Sequence, residues 1–335
     1  MKIYKKIFSL LLVTFISCSV STNGWAMDVR ATEDYNSMKD YEYQLKYGTN
    51  DFLLAPETKE LRNYFQKNME ESRSKTTLSI ETFDIPSTIN DLDIIQDIVK
   101  ADDMLNIKDL LDLYAEQKTD GTRATDNRVR VDGVQPPFNG ICLLQLEFKT
   151  EVFYATGFLV NGTHVITSAH CVQDPELGNV QNIGVIPGGV DLNSIVSGQY
   201  AVSAVVPSEW LNGYEVGVDI AVLGLAKSYS SLYSYSYQNE SPTAIANGTY
   251  FICGFPGDKS LGTMWADFSG KVEGVDVNAN YIALSGYTIV GGNSGGPLIN
   301  YNPIKSIGII SRVNPYYSYV TKINADLAYF IVMNT

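Results

Sequence analysis

The chain is poor in the side chains that build most metal and redox sites: 335 residues hold 2 histidines and 4 cysteines. Cys18 lies in an N-terminal segment expected to be removed, which leaves Cys142, Cys171 and Cys253. Those allow one intramolecular disulfide at most, with one thiol left over, so this is no disulfide-scaffold protein. No Cys-x-x-Cys pair occurs, and two histidines are too few for the usual zinc ligand sets. No metal and no cofactor is expected. Positive charge is scarce as well: 24 Lys and Arg face 37 Asp and Glu, a formal net charge of -13. Such a chain repels a polyanion, so nucleic acid is not expected as a partner. Beyond residue 26 no run is long and apolar enough for a membrane helix, and no membrane span is expected.

What is present begins with an export signal. Lys2, Lys5 and Lys6 form a basic start, Ile7 to Ile16 an apolar run, and Gly24-Trp25-Ala26 a small-residue cleavage site. Residues 1–26 therefore read as a signal peptide and the protein as secreted. Cys18 after Phe15-Ile16-Ser17 offers a competing lipid-anchored form, against which Phe15 stands where an aliphatic residue is expected. Residues 27–123 are rich in charge, and Ile89 to Glu116 spaces Leu and Ile at helical intervals. This segment reads either as a mainly helical propeptide or as an independent helical domain. Residues 117–125 (QKTDGTRAT) read as an exposed linker in which Lys118 and Arg123 are cleavage points, Arg123-Ala124 being the preferred bond.

From Val129 the pattern changes to short strands. GICLLQLEF (140–148), VFYATGFLV (152–160), YAVSAVVP (200–207), IAVLGL (220–225), TYFICGF (249–255), YIALSG (281–286) and IKSIGIIS (304–311) are punctuated by Gly, Asn, Asp and Pro. That is an all-β barrel or sandwich over 124–335. The Ser- and Tyr-rich stretch 227–242 reads as a solvated connection, and Asn324 to Met333 as a short C-terminal helix capped by Asn324.

Three short segments carry chemistry. In Gly291 to Leu298 (GGNSGGPL), glycines let the backbone turn N–H groups toward one point beside an exposed hydroxyl. Ser294 is the candidate nucleophile there, with the N–H groups of Gly292 and Ser294 as an oxyanion hole; a plain glycine-rich turn is the bland reading. TSAHC, Thr167 to Cys171, places His170 after a buried strand as the candidate base. His164, in the turn NGTH, reads as a surface residue. VDIAVLGL, Val218 to Leu225, puts Asp219 at the head of an apolar strand, where it can orient the imidazole and offset its charge. Asp174 and Asp191 are rivals in loops.

The order His, Asp, Ser is that of chymotrypsin-like proteases. From about Thr125 onward the chain resembles the bacterial glutamyl endopeptidases and their trypsin-like relatives. GFPGDKSLGTMW (254–265), Asp126-Asn127-Arg128 and Ser311 after IGII are similar to segments of that family. The resemblance implies a chymotrypsin-like double β-barrel joined near 227–242 and a serine endopeptidase, made as a zymogen, acting as a monomer on protein or peptide substrates. It implies that Ser311 supports the triad acid and lines the substrate channel. It places Thr288 at the base of the specificity pocket and Ile289 and Ile310 where glutamate-selecting members carry a threonine and a histidine. Arg312 either swings toward that pocket or points to solvent. Cys142 and Cys253, on strands expected to be neighbours at the barrel junction, are the pair suggested for a disulfide. Competing functions are a catalytically silent homologue that binds a ligand, an esterase, and a high-temperature-requirement type protease. The last is disfavoured because only 41 residues follow Ser294.

Overall fold

In the computed structural model of the chain the described residues are 77–85, 126–189, 198–314 and 316–335. The expected signal peptide, the helical stretch 89–116, the linker 117–125 and Asp191 lie outside them. The strands before residue 226 are β1 (Ser79–Phe83), β2 (Val129–Arg130), β3 (Ile141–Glu147), β4 (Val152–Asn161), β5 (His164–Thr167), β6 (Gln173–Asp174), β7 (Gly178–Asn179), β8 (Asn182–Pro187), β9 (Gln199–Pro207) and β10 (Ala221–Leu225). They are followed by β11 (Ser236–Tyr237), β12 (Tyr250–Gly254), β13 (Trp265–Asp267), β14 (Lys271–Asp276), β15 (Tyr281–Ser285), β16 (Pro297–Tyr301), β17 (Ile304–Val313) and β18 (Ser318–Lys322). Three short helices are α1 (Trp210–Gly213), α2 (Pro242–Asn247) and α3 (Ala325–Met333).

The first sheet runs β1-β9-β10-β5-β4-β3-β8 and closes into a barrel because β9 also pairs with β8. The second runs β14-β15-β18-β17-β16-β12-β13-β2, with β11 lying parallel on β17. All seven strands expected from the sequence are present. The C-terminal helix is also there, its cap made by Asn324 Oδ1 accepting from Leu327 N at 2.9 Å.

The side-chain alternation of β3 shows how one strand serves two cores. All its residues are buried. Cys142, Leu144 and Leu146 pack inside the first barrel, while Ile141 and Leu143 pack on the junction with the second. Successive side chains of a strand point to opposite faces, so the apolar run Ile141–Leu144 means apolar surroundings on both sides there. The same alternation separates two thiols. Cys142 faces the first barrel's interior and Cys253, on β12, faces the junction, so the suggested disulfide is not formed, and the three cysteines among the described residues are free and buried.

The stretch 227–242 joins the barrels but is not a solvated linker. Tyr235 is 1% exposed, donates its hydroxyl to Pro137 O at 3.0 Å, and meets the Phe158 ring edge-on at 5.8 Å. Tyr233 N is held by Asn139 Oδ1 at 3.0 Å. A tyrosine can take this role because it buries a large ring and still satisfies its polar tip.

A further departure is β1. Residues 79–83 belong to the segment read as mainly helical, yet they pair in parallel with β9, Ser79 opposite Ser203 through Phe83 opposite Pro207. Leu78, Ile80, Phe83 and Ile85 are half-buried and the residues between them exposed. Within each pair these positions are two apart, and the pairs lie on opposite faces of the strand, Leu78 and Ile80 toward the first barrel's core and Phe83 and Ile85 toward the junction.

The free thiols give a direct test. Cys142, Cys171 and Cys253 should react with a thiol reagent in denaturant without prior reduction, and Tm should not move on adding dithiothreitol. A native disulfide is worth about 2–4 kcal/mol, so a clear fall in Tm on reduction would contradict the free-thiol arrangement.

Candidate active site

His170 follows β5 on a single 3-10 turn, Ala169–Cys171, and is buried. Its backbone N–H donates to Asp219 Oδ1 at 3.0 Å, and its Nδ1 lies 2.7 Å from Asp219 Oδ2. Asp219 ends another 3-10 turn, Val216–Val218, just before β10, and its side chain has no exposed surface. Ser311, on β17, donates its hydroxyl to the same Oδ2 at 2.5 Å. A carboxylate cut off from water is tolerated only where donors replace the lost hydration, and three converge here. Thr321 Oγ1 fixes the turn by donating to Val216 O at 2.6 Å. With Nδ1 committed to the carboxylate, the imidazole has Nε2 left as the atom for proton exchange.

Ser294 is half-buried, between Gly292 at φ 94° and Gly295 at φ 82°. Both dihedrals are in the region that only glycine enters freely, and space demands glycine too. A Cβ on Gly295 would lie 2.0 Å from Thr167 Oγ1 and 2.2 Å from Thr156 O, and one on Gly292 would lie 2.3 Å from Phe255 O. The carbonyls of the loop are taken up on its inner side. Gly291 O accepts from Gly257 N at 2.7 Å, Gly292 O from Thr156 Oγ1 at 2.7 Å, and Asn293 O from Gly296 N at 2.9 Å. In a trans peptide the N–H points opposite to the C=O. The N–H groups of Gly292 and Ser294 are therefore directed away from those contacts.

Residues 310 and 311 tie these parts together. Ile310 O accepts from Gly295 N at 2.8 Å and from Ser168 Oγ at 2.8 Å, and the next residue is the serine on Asp219. The residue after Ser294 thus shares an acceptor with the residue two before His170. The serine loop and the His170–Asp219 pair belong to one hydrogen-bonded unit drawn from both barrels. Neither Thr156 nor Ser168 was singled out from the sequence. Ser168 stood inside the histidine motif, but small size was its only legible property, whereas Thr156 carried no local signal at all.

The family described as a trypsin-like peptidase domain matches residues 155–309. An extracellular metalloprotease of Bacillus subtilis is 27% identical over 148 residues, 43% of this chain and 47% of that protein. A glutamyl endopeptidase of Bacillus licheniformis is 24% identical over 176 residues, 52% of this chain and 53% of that protein. The chain therefore spans about half the length of the curated relatives it matches. A solved Glu endopeptidase in complex with MPD superposes with a TM-score of 0.55 at 22% identity, over 63% of this chain and 97% of that one. The chain is similar to the glutamyl endopeptidases over about half its length and has the chymotrypsin-type fold.

The other residues singled out from the sequence fall in distinct places around this site. Thr288 N donates to Asp267 Oδ2 at 2.8 Å. Asp267 is 1% exposed, and its Oδ1 also accepts from Ser269 N and Ser269 Oγ. Its Asp-x-Ser pattern is a turn signal that went unread. Ile310 is buried in the second barrel's core, and half-buried Ile289 packs on the same cluster beside Tyr287. Arg312 is half-buried and engaged beside α1 rather than turned out to solvent. A register shift in the β17–β18 pairing falls between Ile310 and Arg312, and such a bulge re-aims the side chains beyond it. The guanidinium lies 5.9 Å over the Trp210 ring and bonds Tyr214 O, on and beside α1. Of the remaining acids and histidines, Asp174 caps its own turn through Glu176 N and Leu177 N. His164 is half-buried rather than on the surface, held by Asn161 Oδ1 at 3.0 Å, and its pKa is lowered by burial.

Arg128 anchors the loop behind the serine. It is buried and makes a bidentate pair with Asp258 at 2.7 and 2.5 Å, plus bonds to both oxygens of Asp126. Lys259 Nζ reaches Asp126 at 2.6 Å and lies 4.4 Å over the Trp265 ring. This joins residues 126–128 to the segment whose Gly257 N holds Gly291 O. The Arg128 side chain keeps the Asp126 carboxyl well below the usual carboxylate range.

That depression sets a pH dependence. A carboxyl with a lower pKa folded than unfolded contributes stability that is whole above its unfolded value, about 4, and is lost as pH falls below it. The stability gap between the parent and Asp126→Asn, measured by urea unfolding, should be level from about pH 7 to about pH 5 and then narrow toward about pH 2.5. A gap that stays constant over that whole range contradicts the assignment.

Proposed function

We propose that the protein is a secreted serine endopeptidase, made as a zymogen, that cleaves peptide bonds through His170, Asp219 and Ser294. The observation that carries this reading is the buried His170–Asp219–Ser311 network joined through Ile310 to the loop of Ser294. In the proposed cycle Ser294 Oγ attacks the scissile carbonyl while His170 Nε2 takes its proton. The negative charge that develops on the carbonyl oxygen meets the N–H groups of Gly292 and Ser294, and Asp219 offsets the charge on the imidazolium. His170 then gives the proton to the leaving amine, and a water attacks the acyl-enzyme with His170 again as base. The glutamyl endopeptidase relatives and the trypsin-like domain support peptides as the substrate class.

For specificity the proposal is an apolar wall. A pocket for glutamate must replace the hydration of a carboxylate, which costs several kcal/mol unless charge or hydrogen bonds meet it. Ile289 and Ile310 offer neither, and Arg312 is engaged with Trp210 and Tyr214 O. Asp267, bonded to Thr288 N, adds negative charge behind the pocket base rather than positive. Hydrophobic or small residues before the scissile bond are therefore favoured over glutamate.

Ser294→Ala should lower turnover by on the order of a million-fold and abolish labelling by a fluorophosphonate, with Tm unchanged. Retention of more than a few per cent of activity would sink the mechanism, and a parent protein that neither labels nor cleaves would favour the silent homologue. N-terminal sequencing of the secreted form should find a start between Lys118 and Ala124; fully active enzyme beginning near Met27 would refute the zymogen. On a peptide library the activated enzyme should cut mainly after apolar or small residues. Cutting almost solely after glutamate would overturn the apolar-wall reading.

A further inference from the structure

The outer half of β9 is a sheet edge that the barrel does not use. Barrel closure occupies only its first two residues, Gln199 opposite Val185 and Tyr200 opposite Gly184. Beyond them one edge pairs with β10, and the other is taken over residues 203–207 by β1. Four half-buried side chains of residues 77–85 seat against the domain. Leu78 and Ile80 pack on the first barrel's core, and Phe83 and Ile85 on the junction core. The Phe83 ring meets Phe330 of α3 edge-on at 5.8 Å and lies 6.4 Å from Tyr329. Pairing ends at Pro207, which has no N–H to give, and Ser208 completes it: its N donates to Phe83 O at 3.0 Å and its Oγ to Asp84 Oδ1 at 2.6 Å.

We propose that the β9 edge and the adjoining face of α3 form an acceptor site for an extended strand, and that its occupant is residues 77–85 of this chain, bound as a separable peptide. Backbone pairing supplies affinity and pockets for alternate side chains supply selectivity, the logic of strand addition to a sheet edge. The segment lies outside the trypsin-like domain and is joined to it only through residues 86–125, which include the linker proposed to be cut. The site also has a mechanical consequence. Ser208 opens the segment that runs through α1 to Asp219, and Trp210 and Tyr214 on that segment hold Arg312. An occupied seat steadies the wall that carries Asp219 without entering the cleft. Binding in trans rests on the linker cut proposed above, whereas the seat itself does not, and the test keeps the two apart.

The full chain carrying Ser294→Ala, with a site for a specific protease placed within 117–125, is cut to completion. A fluorescent peptide of residues 77–85 is then added and followed by anisotropy. Saturable binding in the micromolar range, about -7 to -8 kcal/mol, is expected, with competition by unlabelled peptide. The Phe83→Asp peptide should bind at least about tenfold more weakly, since it loses its main anchor. The uncut chain should also bind at least about tenfold more weakly, because its tethered strand fills the seat. No binding up to about 1 mM, equal binding of the Phe83→Asp peptide, or equal binding by the uncut chain would each overturn the proposal. Because the nucleophile is absent and the cut is engineered, none of these outcomes depends on whether the parent protein is a protease.

Discussion

Asp219 is a carboxylate with no contact with water, and the rest of the site depends on satisfying it. Leaving such a group without donors costs several kcal/mol. Its partners come from opposite halves of the molecule: the His170 N–H and Nδ1 from the first barrel, the Ser311 hydroxyl from the second. Only docking of the two barrels brings them together. The same contact then fixes the imidazole and sets Ile310 O where it accepts from both Ser168 and Gly295. One desolvated charge therefore couples barrel assembly to the geometry around Ser294.

Close approach is the second constraint. Gly295 sits so near Thr156 and Thr167 that no side chain fits, and Gly292 meets Phe255 O in the same way. A serine loop pressed this tightly against the histidine strand cannot slide. Thr156 strengthens the lock by giving its N–H to Ser294 O and its hydroxyl to Gly292 O, while accepting from Phe255 N. Behind it the Arg128–Asp258 pair holds the segment that supports Gly291. Arginine suits this task because its planar fork meets a carboxylate at two points and stays charged when buried.

Features carried by local periodicity were legible in the sequence, and those created by tertiary contact were not. The seven strands and the C-terminal helix follow from apolar runs, turn residues and an Asn cap. The His170, Asp219 and Ser294 motifs follow from residue types that chemistry requires near one another. The contacts of Arg312 with Trp210 and Tyr214 O were not legible because a bulge in β17 breaks the two-residue alternation beyond Ile310. Cys142 and Cys253 were paired because their strands are neighbours, but the faces of those strands, not their adjacency, decide whether thiols meet. Tyr235 was counted with a polar stretch because five serines and tyrosines in a row look solvated until a barrel junction closes over one ring. Residues 79–83 include the strand-favouring Ile80, Thr82 and Phe83, but the β9 edge that pairs with them is distant in sequence and could not be read locally.

The last point bears on how cutting the linker can change the molecule. While residues 86–125 are intact, the strand stays covalently tethered near its seat, at an effective concentration on the order of 1 mM. Against a dissociation constant of about 10 μM, the seat is then filled about 99% of the time. After a cut, occupancy follows the actual concentration of the freed segment, and dilution lowers it. The support that Ser208 gives the Asp219 segment would fall with it. On the proposed reading, a single cleavage in that segment would alter the wall that carries Asp219 through mass action, with no need for the N-terminal segment to block the site. The direction of the change is set by whether the wall works better braced or free. Comparing turnover of freshly cut protein before and after dilution, with and without added 77–85 peptide, separates these cases, because a blocking segment is relieved by dilution and a bracing one is missed.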